Sequence, residues 1–71
     1  SRIACLHANV PNMIGQITRI LADDNANVQR MVNESAGEHA YTMFDTDEHL
    51  GADTIEALKR IPSMYRVRVI K

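Results

Sequence analysis

The side chains that most often carry out chemistry are few in this sequence and are not grouped by spacing. Cys5 is the only cysteine, which excludes an internal disulfide and a four-cysteine zinc site and predicts a small buried apolar residue. His39 and His49 lie on different predicted elements without a spaced partner, so we expect solvated histidines and no metal site. No nucleophile has a base beside it, and no nucleotide-binding loop is present. We therefore expect no hydrolase or dehydrogenase activity from this chain itself.

The remaining polar groups of interest lie in the loop His7-Ala8-Asn9-Val10-Pro11-Asn12. By residue type alone, His7 is a surface or capping histidine, and Asn9 is a turn residue that bonds its own backbone. The run Asp45-Thr46-Asp47-Glu48 is acidic, and the sequence predicts a solvated strand end there. Residue types at these positions suit recognition better than catalysis, because amide side chains both donate and accept hydrogen bonds.

Six segments of alternating strand and helix character must position these residues. The run Ala40-Tyr41-Thr42-Met43-Phe44 has the strongest strand propensity, whereas apolar residues at helical spacing follow Asn12. The predicted strands are 2–8, 27–34, 39–46 and 65–71, a hairpin connection lies at 35–38, and the predicted helices are 13–24 and a second one that Pro62 stops.

The predicted helix ends depend on a few polar residues. Pro11 or Asn12 opens the first helix, since proline loses no donor in a first turn and asparagine offers a side-chain cap. Asn25 is predicted to end that helix in the left-handed conformation. Asp53, followed three residues later by Glu56, is a plausible cap and capping-box acid for the second helix.

The order strand, helix, strand, strand, helix, strand predicts an α+β fold. Right-handed crossovers arrange two βαβ halves as a four-stranded antiparallel sheet with both helices on one face, the ferredoxin-like βαββαβ topology. The other face of the sheet is left uncovered by this chain. Because this topology hosts unrelated functions, function has to be argued from sites.

Length and composition limit the classes further. The chain has 71 residues, so one domain covering 1–71 is expected, with a thin core that favours burial against a second copy. The formal net charge is −1, with 8 basic and 9 acidic residues, which argues against a nucleic-acid partner. No apolar run approaches a membrane span and no leader is evident, so we expect a cytoplasmic protein without a membrane partner. The chain opens directly on a strand without Met, which predicts a piece of a longer enzyme.

Three functions of ferredoxin-like domains can be weighed from the residues. An RNA-recognition module needs stacking aromatics on the first and third strands, but Tyr41 and Phe44 are predicted to point to opposite faces. A metal-carrying module needs paired cysteines in the first loop. An acylphosphatase-like enzyme needs an Arg near a phosphate-binding loop, and no Arg follows the first strand before the helix.

The sequence resembles one regulatory family along nearly its whole length. The run His7-Ala8-Asn9-Val10-Pro11-Asn12-Met13-Ile14-Gly15-Gln16-Ile17 is similar to the opening of the ACT domain that terminates D-3-phosphoglycerate dehydrogenases. The similarity continues through Asn27-Val28, through Ala40-Tyr41-Thr42 with Asp45, and through Ile61-Pro62 with Val67-Arg68-Val69-Ile70. Such domains are sensors of small molecules, usually amino acids, that work as pairs attached to metabolic enzymes.

The resemblance implies a ligand site shared by two subunits. His7 and Asn9 match the family's first-loop residues for L-serine, Asn27 matches the Asn that the partner subunit contributes, and backbone N–H groups at Met13 and Ile14 suit a carboxylate. Most ACT loops have Gly where this chain has Asn12. Because Asn adds a side chain at that point, it puts tight serine binding in question.

We therefore interpret the sequence as an amino-acid-binding allosteric domain of a serine-biosynthesis dehydrogenase. It is expected to be non-catalytic, to form a homodimer through edge strands and helices, and to carry no cofactor, while NAD belongs to the missing domains of the parent. The alternatives are an ACT-type dimerisation scaffold that has lost sensing and, from a different class, a small acylphosphatase-like enzyme.

Overall fold

A computed structural model describes all 71 residues and gives the element order expected from the sequence. Apolar residues that alternate form strands, and those at helical spacing form helices. The strands are β1 (Arg2–Ala8), β2 (Val28–Ala36), β3 (His39–Thr46) and β4 (Met64–Val69), and the helices are α1 (Met13–Asp23) and α2 (Ala52–Lys59).

The four strands form one antiparallel sheet in the order β2-β3-β1-β4. β1 and β3 are central, with Cys5 opposite Thr42, and β2 and β4 are the edges. The ferredoxin-like α+β class is therefore confirmed. Neither helix is long and apolar enough to cross a membrane.

The core lies between the helices and one face of the sheet. Phe44, Ile3 and Cys5 point inward from β3 and β1 and meet Ile17 and Leu58 of the helices, and all five are at most 1% exposed. Burial of these side chains is the main stabilising term, at about 1.5–3 kcal/mol for each large apolar residue. The opposite face of the sheet has no covering layer.

The first helix starts at Met13 as predicted, but the two predicted side-chain caps are wrong. Asn12 is the residue before α1, but its backbone is left-handed (φ 71°, ψ 11°) and its side chain makes no capping hydrogen bond; a cap normally needs extended backbone to reach the first-turn amides. α2 begins after Gly51, also without a side-chain cap, so Asp53 lies inside the first turn instead of capping it. There its charge still favours the positive end of the helix dipole.

The chain reversals agree with the residue types. Asn25 has φ 58° and follows α1, which confirms the left-handed helix ending. β2 is longer than predicted, so the hairpin turn contains only Gly37 and Glu38, between the paired residues Ala36 and His39. Gly37 has φ 64°, the conformation that glycine adopts at the first position of a tight hairpin turn.

Candidate functional site

The loop between β1 and α1 is held against the β2–β3 hairpin by two hydrogen bonds. The backbone N–H of Asn9 donates to the carbonyl of Glu38 at 2.8 Å, and its side-chain Nδ2 donates to the carbonyl of Gly37 at 3.0 Å. The Asn9 amide thus bonds the hairpin backbone and not its own loop. These two bonds fix the loop residues near the end of the sheet.

His7 belongs to a buried polar network at the start of this loop. The residue is 2% exposed, with Nδ1 2.9 Å from the carbonyl oxygen of Ala8 and Nε2 2.8 Å from Oγ1 of Thr42. The Asn33 side-chain amide donates to the same Thr42 oxygen at 2.8 Å. Because a carbonyl oxygen only accepts, Nδ1 must carry a proton, and in the neutral form of the ring this tautomer leaves Nε2 to accept the Thr42 hydroxyl proton.

This network corrects the assignment of His7 to the surface. Both ring nitrogens are engaged within the chain, so a ligand reaches the imidazole only at a ring edge or after one of the two bonds is released. In this conformation, the ring fixes the end of β1 relative to Thr42 on β3. Its first effect is therefore to position the loop.

The first turn of α1 presents unsatisfied backbone donors. Gln16 is the first residue whose N–H finds a helical carbonyl, that of Asn12 at 3.1 Å. The N–H groups of Met13, Ile14 and Gly15 have no acceptor within the chain. Free donors at the positive end of a helix attract anions. Met13 is buried in the core, so it offers this turn its backbone only.

Asn27 lies away from this loop, immediately before β2. Its Nδ2 donates to Oδ2 of Asp47 at 2.6 Å, and the Gln29 side chain donates to the other oxygen of that carboxylate. The hydrogen bonds from Gln29 and Asn27 hold the pKa of Asp47 below its ordinary value. Asp47 is exposed, as the sequence predicts, but it also orders two amide side chains of the β2 start.

Solved structures with the same arrangement of strands and helices are ACT domains. The ACT domain of GTP pyrophosphokinase from Chlorobium tepidum superposes with a TM-score of 0.73 at 14% identity, over 94% of this chain and 80% of that one. The regulatory subunit of aspartate kinase from Thermus thermophilus, in its ligand-free form, has a TM-score of 0.74 at 14% identity, over 96% of this chain and 49% of that one. This chain has the ACT-domain fold.

Sequence similarity points to one group of enzymes that carry it. D-3-phosphoglycerate dehydrogenases from Escherichia coli K12 and Shigella flexneri are each 24% identical over 97% of this chain. The chain spans only 17% of the length of these relatives. No family model matches the sequence. The chain thus resembles an ACT domain in fold and D-3-phosphoglycerate dehydrogenases in sequence, which supports an ACT domain of the kind found in that enzyme.

Within one ACT-type chain, the proposed ligand residues do not all meet. His7, Asn9, Asn12, Met13 and Ile14 share the β1–α1 junction. β1 and β2 run parallel, because each is antiparallel to β3, so Asn27 at the start of β2 lies at the other end of the sheet. At about 3.3 Å per residue, the length of β1 separates the two ends by roughly 20 Å.

The hydrogen-bond partners of three polar residues were not predicted from the sequence. Thr42 carries the His7 network, Asn33 completes it, and Asp47 holds Asn27. A signal existed for Thr42, since alternation along β3 places this polar residue on the inward face between Ala40 and Phe44. Nothing local marks Asn33 or Asp47, because their partners depend on strand register.

The fold does not bring other potentially reactive or metal-binding side chains together. No three His, Cys, Asp or Glu side chains lie close enough together to hold a metal ion. Cys5 is buried, as predicted, and burial raises the pKa of its thiol to about 11. None of the three concavities of the chain is lined by the residues of the β1–α1 loop.

Proposed function

We propose that this chain is a non-catalytic regulatory domain that binds L-serine, or a similar small amino acid, between two copies of itself. The observation that carries the proposal is the first turn of α1, where three backbone donors have no acceptor within the chain, next to a loop held in place by Asn9. The ACT fold and the likeness to D-3-phosphoglycerate dehydrogenases give these donors their context.

The amino-acid carboxylate would occupy the start of α1. The free N–H groups of Met13, Ile14 and Gly15 satisfy its oxygens, and the helix dipole favours its charge. Asn12 leans over this turn, since a Cβ placed on Gly15 would lie 2.5 Å from Asn12 Oδ1. Its exposed side chain makes no hydrogen bond as a donor or a cap, so it is free to swing aside or to bond the ligand.

A second copy would supply Asn27. Unpaired edge strands favour pairing, and if two β2 edges pair antiparallel about a two-fold axis at Val32, Asn27 of the partner subunit lies opposite Gly37. Gly37 is the residue whose carbonyl holds Asn9, so this pairing joins the two halves of the proposed site. The paired helices complete the homodimer interface.

The ammonium group would lie near Asn27 and Asp47. Asn27 Nδ2 donates to Asp47, whereas the side-chain Oδ1 of Asn27 has no hydrogen bond within the chain and is free to accept one. The ionised Asp47 adds a negative charge that attracts an ammonium. A ligand held this way binds both copies at once, so it stabilises their association and changes the state of whatever they are attached to.

The attached part would be a dehydrogenase. The curated relatives are D-3-phosphoglycerate dehydrogenases, of which this chain matches a small part, so catalysis and its NAD belong to domains outside this chain. The 71 residues themselves form a single regulatory domain with no cofactor of their own.

Melting and sedimentation of the chain with L-serine test this proposal. At about a hundred times the dissociation constant, a ligand specific for the folded dimer adds roughly 2.7 kcal/mol, which is a shift on the order of 10 °C for a domain of this size. D-serine and glycine are the ligand controls. Asn27→Ala should remove most of the shift.

Gln29→Ala is the matched control, because it removes the other amide hydrogen bond to Asp47 and leaves Asn27 in place. It should retain the serine response. If millimolar L-serine changes neither the melting curve nor the dimer affinity of the unmutated chain, serine sensing is wrong.

One observation favours the second candidate, a dimerisation scaffold without sensing. The amides of Asn9 and Asn27 are both used inside the chain, which is sufficient to explain why these residues are polar. A scaffold predicts dimers that respond to no amino acid, whereas an acylphosphatase-like enzyme predicts turnover of acyl phosphates by the chain itself.

A further inference from the structure

The uncovered face of the sheet, opposite the helices, concentrates positive charge. We call it the open face; it contains the outward residues of β1, β3 and β4 and of the edge strand β2. Five of the eight basic residues lie on it or at the end where β1 begins: Arg2, Arg30, Arg66, Arg68 and Lys71. Only two of the nine acidic residues, Glu34 and Asp45, share it. The rest of the surface therefore has three basic and seven acidic residues. Basic and acidic residues thus lie on different faces, although the net charge of the chain is close to zero.

The cations on the open face differ in availability. Arg2 is held by Asp45 in a two-point ion pair at 2.8 and 3.2 Å, which lowers the pKa of that carboxyl. Arg66 and Arg68 have no ion pair or side-chain hydrogen bond within the chain. They lie two residues apart on β4, opposite Leu6 and Ala4, and so point to the same side.

Apolar and aromatic groups lie beside these free guanidinium groups. Leu6 and Tyr41 are each 40% exposed at the centre of the open face. The register of β4 shifts between Leu6 and His7, and next to this irregularity the ring of Tyr65 packs edge-on against His39 at 5.7 Å. A shallow concavity of about 180 Å³ is formed by Ala4, Leu6, Tyr41 and the two arginines.

We propose that the open face binds an acidic, extended polypeptide segment that lies across the sheet, with its carboxylates and one apolar or aromatic side chain at alternate positions, which point to the same side. The carboxylates pair with Arg66 and Arg68, and the apolar side chain contacts Leu6 and Tyr41.

Other occupants fit less well. The concavity is below the roughly 300 Å³ at which small-molecule sites begin. An RNA-binding sheet presents stacking aromatic side chains on both central strands, and β1 has none on the open face. A second copy docking its helix layer here makes a head-to-tail contact, which does not close and leads to filaments.

The face also has the size of a peptide site. Four strands about 4.8 Å apart and about seven residues long at about 3.3 Å each give a face of roughly 450 Å². A standard interface between two folded proteins buries about 800 Å² on each side. A short segment therefore covers this face, whereas a globular partner would need contacts outside it.

The test is a backbone NMR titration of the isotope-labelled 71-residue chain with a short blocked peptide, Glu-Ser-Glu-Ser-Leu, whose glutamates and leucine share one side when the peptide is extended. Peptides in which lysine or serine replaces glutamate are the charge controls, and oligouridylate is the nucleic-acid probe. The acidic peptide should shift resonances of β1, β3 and β4. Arg66→Gln with Arg68→Gln should weaken its binding by about tenfold or more, because two charge-assisted hydrogen bonds are lost.

Arg19→Gln with Arg60→Gln is the matched control, since it removes the same charge from exposed positions on the helix layer and should leave peptide affinity within about twofold. Tyr41→Ser should weaken the acidic peptide without abolishing it. Three results would each overturn the proposal: an equal loss of peptide affinity in both double variants, resonance shifts confined to the helix layer, or tighter binding of oligouridylate than of the peptide. Concentration-dependent filaments would instead identify a second copy as the occupant. None of these outcomes depends on L-serine, so the two proposals fail separately.

Discussion

Replacing Thr42 with Val tests whether the His7 network stabilises the fold as its geometry indicates. The Thr42 hydroxyl is fully buried between His7 Nε2 and the Asn33 amide. Valine keeps the shape of threonine but removes the donor, so the buried imidazole nitrogen loses its partner. Asn33 is exposed and can bond water instead.

The expected loss of stability follows from the burial of the imidazole and the exposure of the Asn33 amide. An orphaned buried acceptor destabilises by about 1–3 kcal/mol, whereas the added methyl group recovers up to about 0.8 kcal/mol by apolar burial. The net loss should be about 1–2 kcal/mol, or a fall in Tm of roughly 5–10 °C for a domain of this size. Asn33→Ala should cost less than about 0.5 kcal/mol, because solvent replaces its bond.

Urea unfolding, monitored by circular dichroism, measures these differences in the free energy of unfolding, with the same dependence on urea concentration expected for every variant. His7→Leu completes a double-mutant cycle with Thr42→Val. Once the imidazole is absent, Thr42→Val should leave the free energy of unfolding nearly unchanged, so the cycle should give an interaction free energy of about 1–2 kcal/mol between the two side chains. The imidazole nitrogen shifts of the unmutated chain should independently place the proton on Nδ1. A Thr42→Val variant as stable as the unmutated chain, or one equally costly in both backgrounds, would refute the network argument.

Three further predictions concern separate features. Gly15→Ala should stabilise the chain by about 0.5–1 kcal/mol in urea unfolding, provided that the exposed Asn12 side chain swings away; a loss of stability that Asn12→Gly does not relieve would contradict this. Because the folded pKa of Asp47 lies below the ordinary 3.8, its contribution is present above that value and is lost as pH falls through the folded pKa. Melting temperatures should therefore drop on acidification, with a smaller drop for Asp47→Asn; an unchanged acid profile in that variant would count against the assignment. Since burial raises the Cys5 thiol pKa to about 11, iodoacetamide at pH 8 should label Cys5 only as fast as the chain unfolds, and rapid labelling of the native chain would be the contrary result.

Much of the fold could be predicted, because strand and helix periods are local properties of the chain. The strand propensity of 39–46 predicted β3 with its observed bounds, and the short apolar run at 2–8, which ends at a turn signal, predicted β1 with its observed bounds. Asn25 and Gly37 marked chain reversals because their left-handed backbone is rare for other residues. The helix starts were less predictable, since a side-chain cap depends on the backbone angle of the capping residue and not only on its type.

The candidate site was only partly predictable. The spacing of His7, Asn9 and Asn12 along one loop follows from chain connectivity, so the sequence brings them together. Neither the burial of His7 nor its bond to Thr42 is local, because β1 and β3 acquire their register only when the sheet forms.

The placement of charged residues shows most clearly what the sequence determines and what only the tertiary structure determines. Composition determines a net charge of −1, which argues against a nucleic-acid partner but does not say where the charges lie. Sheet order and strand register place Arg66 and Arg68 beside Leu6 and Tyr41, and the same register puts Asn27 at the far end from Asn9. Composition and local period thus determined the elements, whereas long-range strand pairing decided which side chains share a face, since that pairing joins residues far apart in the chain.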